Sequence, residues 1–139
     1  MKKILLKMKK LLIIIFLLPN ILSAQVHTEW GAGYEHVPVG KIAMGYTTGK
    51  IMMEAMVLPG LSRKINANTY YGVQAGINLK NIVPSVGYFY NYRSADDVSL
   101  NKWVGLTAGI KVIVFKYFYA EVIYINKNAL ATAGFHADL

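Results

Sequence analysis

Beyond residue 24 the apolar positions recur every second residue, and no window shows a convincing 3.6-residue period. In residues 70–79, Tyr71, Val73, Ala75, Ile77 and Leu79 are apolar, while Gly72, Gln74, Gly76 and Asn78 are small or polar. In 82–93, Ile82, Pro84, Val86, Tyr88, Tyr90 and Tyr92 oppose Ser85, Gly87, Asn91 and Arg93, with Val83 and Phe89 out of pattern. In 103–112, Val104, Leu106, Ala108, Ile110 and Val112 oppose Gly105, Thr107, Gly109 and Lys111. At the C-terminus, Ala131, Ala133, Phe135, Ala137 and Leu139 oppose Thr132, Gly134, His136 and Asp138. Successive strand side chains point to opposite faces, so these segments are strands with one oily and one polar face. Weaker alternation over 26–36, 41–47, 50–57 and 117–126 completes a set of eight.

The connections alternate in length. Residues 37–40, 58–69, 94–102 and 127–128 are mostly longer and polar, whereas Thr48-Gly49, Lys80-Asn81 and a link near Phe115–Lys116 are short. Short turns at one end and longer loops at the other is the pattern of an outer-membrane barrel with both termini on the periplasmic side. Turn length also fixes register. A two-residue Lys80-Asn81 turn sets Leu79 against Ile82, Ile77 against Pro84 and Gln74 against Gly87. A two-residue Thr48-Gly49 turn sets Gly45 against Met52 and Ala43 against Glu54. An odd number of residues near Lys116 sets Lys111 against Glu121, an acid–base pair.

Two architectures accept eight such strands. A soluble barrel or sandwich turns its oily face inward; a membrane barrel turns it outward to lipid and lines its interior with the polar face. Glycine favours the second. Of the 12 glycines, Gly31, Gly33, Gly45, Gly72, Gly76, Gly87, Gly105, Gly109 and Gly134 phase to the polar face, and the others fall in connections. Glycine weakens a strand unless space is short, and the bore of a narrow barrel is short of space. The charges Glu29, Glu35, Lys41, Glu54, Arg93, Lys111, Glu121 and Asp138 share that face. A cation on a lipid-facing wall would cost about 2–4 kcal/mol at mid-depth. On the oily face, Tyr34, Tyr71, Tyr90, Tyr92 and Tyr124 lie toward the loop ends and Trp30 and Tyr46 toward the other, as two interfacial belts would. Trp103, Tyr117 and Tyr119 phase inward.

Composition adds the compartment. The chain has 139 residues, enough for one domain. Residues 1–24 read as a secretory signal peptide: five lysines (Lys2, Lys3, Lys7, Lys9, Lys10), an apolar run over 11–18, a break at Pro19-Asn20 and Ser23-Ala24 before Gln25. The run is too short to span a bilayer as a helix. Residues 25–139 are then the barrel domain, exported and placed in the outer membrane. The net charge of +8 belongs mostly to the leader; without it 10 basic residues face 7 acidic ones. Nucleic-acid binding loses its support. The absence of cysteine excludes a disulfide-stapled domain, a lipid-anchored lipoprotein and thiolate chemistry.

The pattern resembles the small eight-stranded outer-membrane barrels, such as the transmembrane domain of outer-membrane protein A, across essentially all of 25–139. The final stretch, Thr132-Ala133-Gly134-Phe135-His136-Ala137-Asp138-Leu139, is similar to the signal such barrels present to their insertion machinery, which usually ends in an aromatic residue where Leu139 stands. The resemblance implies outer-membrane lipid and that machinery as partners.

Catalytic motifs are missing. Gly31-Ala32-Gly33 sits inside a strand pattern and opens no helix, so a nucleotide-binding reading fails. No serine lies within two residues of a histidine, which weakens the rival reading as a lipid-modifying enzyme. No cofactor is expected. The interior charges Lys41, Glu54, Arg93, Lys111 and Glu121 are expected to neutralise one another and, with Met52, Met56, Phe89 and Tyr119, to plug the bore. Closing the first strand on the last brings His27 and Glu29 toward His136 and Asp138, a set that could hold a Zn²⁺-like ion or act as a general base, with a hydrogen-bonded polar rim as the plainer alternative. Loops 58–69 and 94–102, carrying Arg63-Lys64 and Asp96-Asp97, are candidate contacts for an envelope partner. The expected protein is a filled barrel with a structural or interaction role; the alternative is a soluble periplasmic β-barrel binding a hydrophobic ligand.

Overall fold

The structure, a computed structural model, describes residues 7–10, 13, 24–62, 68–92, 102–125 and 127–139. Eight antiparallel strands close into a barrel in chain order: β1 (Gln25–Tyr34), β2 (Pro38–Thr48), β3 (Ile51–Leu58), β4 (Thr69–Ile77), β5 (Ile82–Tyr92), β6 (Lys102–Val114), β7 (Phe118–Ile125) and β8 (Asn128–Asp138). Closure leaves no free sheet edge, because β1 pairs with β8 from His27↔Asp138 to Tyr34↔Ala131. The barrel's chain termini and the β2–β3, β4–β5 and β6–β7 connections share one end, here the turn end; the other four connections share the loop end, where the β1–β2 and β7–β8 links are as short as the turns and the β3–β4 and β5–β6 links are longer.

Turn chemistry accounts for the registers. Lys80 and Asn81 both have positive φ, 52° and 75°, which a type I′ hairpin turn demands of its two central residues. Leu79 accordingly faces Ile82, and Gln74 faces Gly87. The turn between β6 and β7 holds three residues, Phe115 to Tyr117, so Lys111 faces Glu121 as expected. The β2–β3 turn departs from expectation. Its central residues are Gly49 and Lys50, not Thr48 and Gly49, so Thr48 faces Ile51 and Gly45 faces Glu54 rather than Met52. Gly49, at φ 59°, takes the first central position, where a tight hairpin needs a residue free of Cβ strain. The slip is of two positions, so every side chain keeps its face.

The oily rows point outward. Ile42, Met44, Val73, Val86, Leu106 and Ile110 are all at least half exposed, and the aliphatic face continues around the barrel. The polar face fills the bore together with two apolar clusters. One, toward the loop end, is built from Val39, Ala43, Met56, Leu58, Tyr70, Phe89, Ile123, Ile125 and Leu130; the other, Met52, Val83 and Ile113, lies toward the turn end. Glycines are packed where the bore is tightest. A Cβ on Gly72 would run into the Phe89 ring, and one on Gly134 into the backbone of Trp30 and Gly31.

Three aromatic and glycine assignments change. Trp103 faces outward, stacked on Tyr88 at 4.9 Å and edge-on to Tyr90 at 5.2 Å. A β-bulge causes the reversal: Phe89 pairs with Gly105 but Tyr90 with Trp103, so the extra residue, Val104, shifts the parity of what precedes it. Gly105 supplies the bulge with φ 90° and has open space about it, so its role is conformational and not relief of crowding. Tyr117 is exposed because it belongs to the turn, whereas Tyr119 points inward as expected.

Gly134→Val should therefore destabilise the barrel by about 1–3 kcal/mol or more, since the obstructing atoms are backbone. Ala133→Val, on the outer wall, should stay within about 0.5 kcal/mol. Urea titration of the folded fraction, followed by gel mobility of unboiled samples, distinguishes the two.

A buried ion network as the candidate functional site

The centre of the bore is charged and buried. Glu29, Lys41, Glu54, Lys111 and Glu121 come from β1, β2, β3, β6 and β7, and each is nearly fully buried. Their alternation with outward apolar residues forces all five onto the inner face, where a strand spacing of about 4.8 Å lets long side chains meet across the barrel. Lys41 Nζ donates to Glu29 Oε2 at 2.7 Å and also to Glu121. Lys111 Nζ donates to Glu29 Oε1 and Oε2 at 2.9 and 2.8 Å and also to Glu54. Each ammonium thus bridges two carboxylates on different strands, and each also lies near the Tyr119 ring, Lys41 at 4.4 Å and Lys111 at 5.8 Å from its centroid.

The expected Lys111–Glu121 pair forms only in backbone register. The Lys111 ammonium reaches instead toward Glu29 and Glu54, and Glu121 is served by Lys41 and by Gln74. Gln74 donates to Glu54 Oε2 at 2.8 Å and to Glu121 Oε1 at 2.6 Å, joining the two carboxylates that share no lysine. Its place in the network escaped the sequence reading, although its inward phase was the available signal; its position opposite Glu54 comes from the β3–β4 register. Arg93, also expected in the network, lies outside the described residues. Glu35 forms a separate site at the loop end, accepting from Tyr70 Oη at 3.0 Å and Asn128 Nδ2 at 3.3 Å.

Barrel closure brings the histidine cluster together at the turn end. His136 Nδ1 lies 2.9 Å from Glu29 Oε1, and its Nε2 lies 3.1 Å from Asp138 Oδ1. His27 Nε2 lies 2.9 Å from Glu54 Oε1, and the two imidazoles stack at 5.1 Å. Asp138 sits at the rim with its side chain 39% exposed. Among the described residues, the set whose ligand atoms converge within 4.8 Å is His27, Glu29 and Glu54, without His136 or Asp138. Glu29 and Glu54 already share the Lys111 ammonium, which supplies the positive charge that a metal ion would bring. The histidine nitrogens that have partners face carboxylates and not a hydroxyl, and Ser85, the inward serine, has no hydrogen-bond partner.

A polar vestibule of about 240 Å³ opens beside this cluster, with His136, Asp138, Lys116, Asn78 and Asn81 on its walls. The other hollows, such as one of about 390 Å³ between Met44, Met53 and Val73, are mainly apolar dents lined by residues of the outer wall. Comparison with protein-family models, with curated proteins and with solved structures finds no match.

Removing one partner of a buried ion pair strands the other, at about 3–5 kcal/mol. Lys41→Met should incur a loss of that order in urea unfolding. Adding Glu121→Gln should recover part of it; strictly additive losses would show that the two residues are not coupled.

Proposed function

We propose that the protein is a filled outer-membrane barrel with a structural or interaction role in the cell envelope. One observation carries this reading: the aliphatic rows face outward all around a barrel whose bore holds Glu29, Lys41, Glu54, Lys111 and Glu121. A soluble monomer rarely exposes a contiguous apolar surface beyond a few hundred Å², whereas a lipid-facing wall requires one. The outward aromatics add support. Tyr34, Tyr71, Tyr92 and Tyr124 ring the loop half, and Trp30, Phe118 and Phe135 cluster in the turn half, as two interfacial girdles would.

The same facing argues against the soluble alternative, in which a hydrophobic ligand would occupy an oily interior. Here the interior holds an ion network capped by packed apolar side chains. That filling also favours a barrel that does not conduct. A lipid-modifying role needs a nucleophile beside a base, and the paired histidine nitrogens are engaged by carboxylates. In this reading residues 1–24 direct export, the barrel-insertion machinery recognises β8, and lipid contacts the wall. The parts left for a protein partner are the ends, including loops 58–69 and 94–102.

Density-gradient fractionation of cells should place the mature chain, beginning at Gln25, with the outer membrane, and its gel mobility should change on boiling. Recovery in the soluble periplasmic fraction would overturn the proposal in favour of the ligand-binding alternative. A change in lipid A acyl number on deletion would overturn it in favour of an enzyme.

A further inference from the structure

Each connection at the turn end carries a lysine. Lys50 lies between β2 and β3, Lys80 between β4 and β5, and Lys116 between β6 and β7, so exposed ammonium groups recur at every second strand around that rim. Among the described residues, no carboxylate lies within ion-pair distance of any of the three. The acids are engaged elsewhere. Glu29, Glu54 and Glu121 serve Lys41 and Lys111 inside the bore, and Glu35 lies at the loop end beside Tyr70. Asp138, the acid of the turn rim among the described residues, is held by His136. The turn rim is therefore cationic.

The barrel's own packing does not ask for these residues. Lys80 and Lys116 have φ 52° and 64°, a left-handed conformation that glycine and asparagine adopt more readily than lysine. Phe115, beside Lys116, is left-handed as well, at φ 51°, and is 82% exposed; Tyr117, in the same turn, is 66% exposed. A bulky ring in that conformation carries a backbone cost that no burial offsets.

The surroundings of the lysines say what they meet. Ile51 next to Lys50, Leu79 and Ile82 around Lys80, and Phe115 and Tyr117 around Lys116 are all exposed, so apolar surface runs from the outer wall up to each ammonium. An acidic protein would match the charge and leave that apolar surface in water. A lipid with a headgroup of net negative charge matches both in the right order, acyl chain along the wall and anion at its edge. Lysine suits such a boundary, since its stem lies on apolar surface while its ammonium reaches the headgroups.

We propose that the turn rim is a docking surface for anionic phospholipids, with Lys50, Lys80 and Lys116 each pairing with a headgroup whose acyl chains lie against the neighbouring wall. Phe115 and Tyr117 seat the β6–β7 turn among the same headgroups. This inference rests on the membrane placement proposed above and deepens it, because it names the class of lipid and the leaflet, the one at the turn end.

The test uses the protein extracted from cell membranes and reconstituted into phosphatidylcholine vesicles. Trace spin-labelled phosphatidylglycerol or phosphatidylcholine is added, and electron spin resonance separates lipid held at the protein from bulk lipid. The protein should prefer phosphatidylglycerol over phosphatidylcholine by at least about twofold. The triple variant Lys50→Gln, Lys80→Asn, Lys116→Asn should bring that ratio close to one, whereas Lys127→Gln, at the loop end, should keep it. The triple variant should also unfold at the same or a higher temperature in neutral detergent, because asparagine suits the left-handed positions. A lower unfolding temperature would give the lysines a folding role and overturn the proposal. So would an unchanged preference in the triple variant. Held lipid without any preference would overturn it in favour of an acidic protein partner. No held lipid with either probe would overturn the membrane placement itself.

Discussion

The barrel is organised around charges that water does not reach. Two ammonium groups and three carboxylates, drawn from five strands, share the centre of a bore too narrow for bulk solvent. Such groups are tolerated only when each is matched, and the arrangement achieves this by having every lysine bridge two acids on different strands. The network therefore exists only in the closed form. Lys111 on β6 meets Glu29 on β1, Lys41 on β2 meets Glu121 on β7, and His136 on β8 meets Glu29 across the seam. A strand in the wrong register would carry an acid or base to a place without a partner, so the same residues that stabilise the correct barrel penalise its alternatives.

Space in the bore follows from that centre. Long charged side chains occupy it together with the Tyr119 ring, and the wall behind them must be thin. Glycine supplies the thin wall at Gly31, Gly45 and Gly134, where an added Cβ would strike backbone or the network's own side chains. Above and below the ions the bore is closed by apolar packing, the larger cluster around Phe89 and Leu130 toward the loops and the smaller around Met52 and Ile113 toward the turns. The layered interior leaves the outer wall free to be predominantly apolar. That separation, ions inside and aliphatics outside, is what makes a lipid environment the best-supported setting.

Much of this was legible in the alternation of residues. Glu29, Lys41, Glu54, Lys111 and Glu121 all lie buried on the face assigned to them, and the eight strands pair in chain order. The β4–β5 and β6–β7 registers follow from turn length. Where the reading failed, a single residue changed the local count. The β2–β3 turn starts one position later than expected because Gly49, not Thr48, takes the left-handed position. Trp103 turns outward because a bulge at Val104–Gly105 inserts one residue into β6. Strict alternation has no means of registering a bulge, although Gly105 inside a strand pattern was a cue.

Away from the β6 bulge, where Trp103 and Val104 exchange faces, the residues lining the bore can be read from the chain alone, since period-two alternation assigns each side chain to a face without knowledge of its neighbours. The chain also dictates that β1 must meet β8 if the sheet closes, and so that His27, Glu29, His136 and Asp138 share one end. Only the tertiary structure decided who bonds whom. Lys111 and Glu121 are direct neighbours in register, yet their charged groups reach across the bore to other strands, because flexible side chains several bonds long choose partners by distance through space and not along the ladder. The convergence of Gln74 on two acids and the contrasting contacts of the two imidazoles arise in the same way, from the closed geometry that sets seven strands facing one centre.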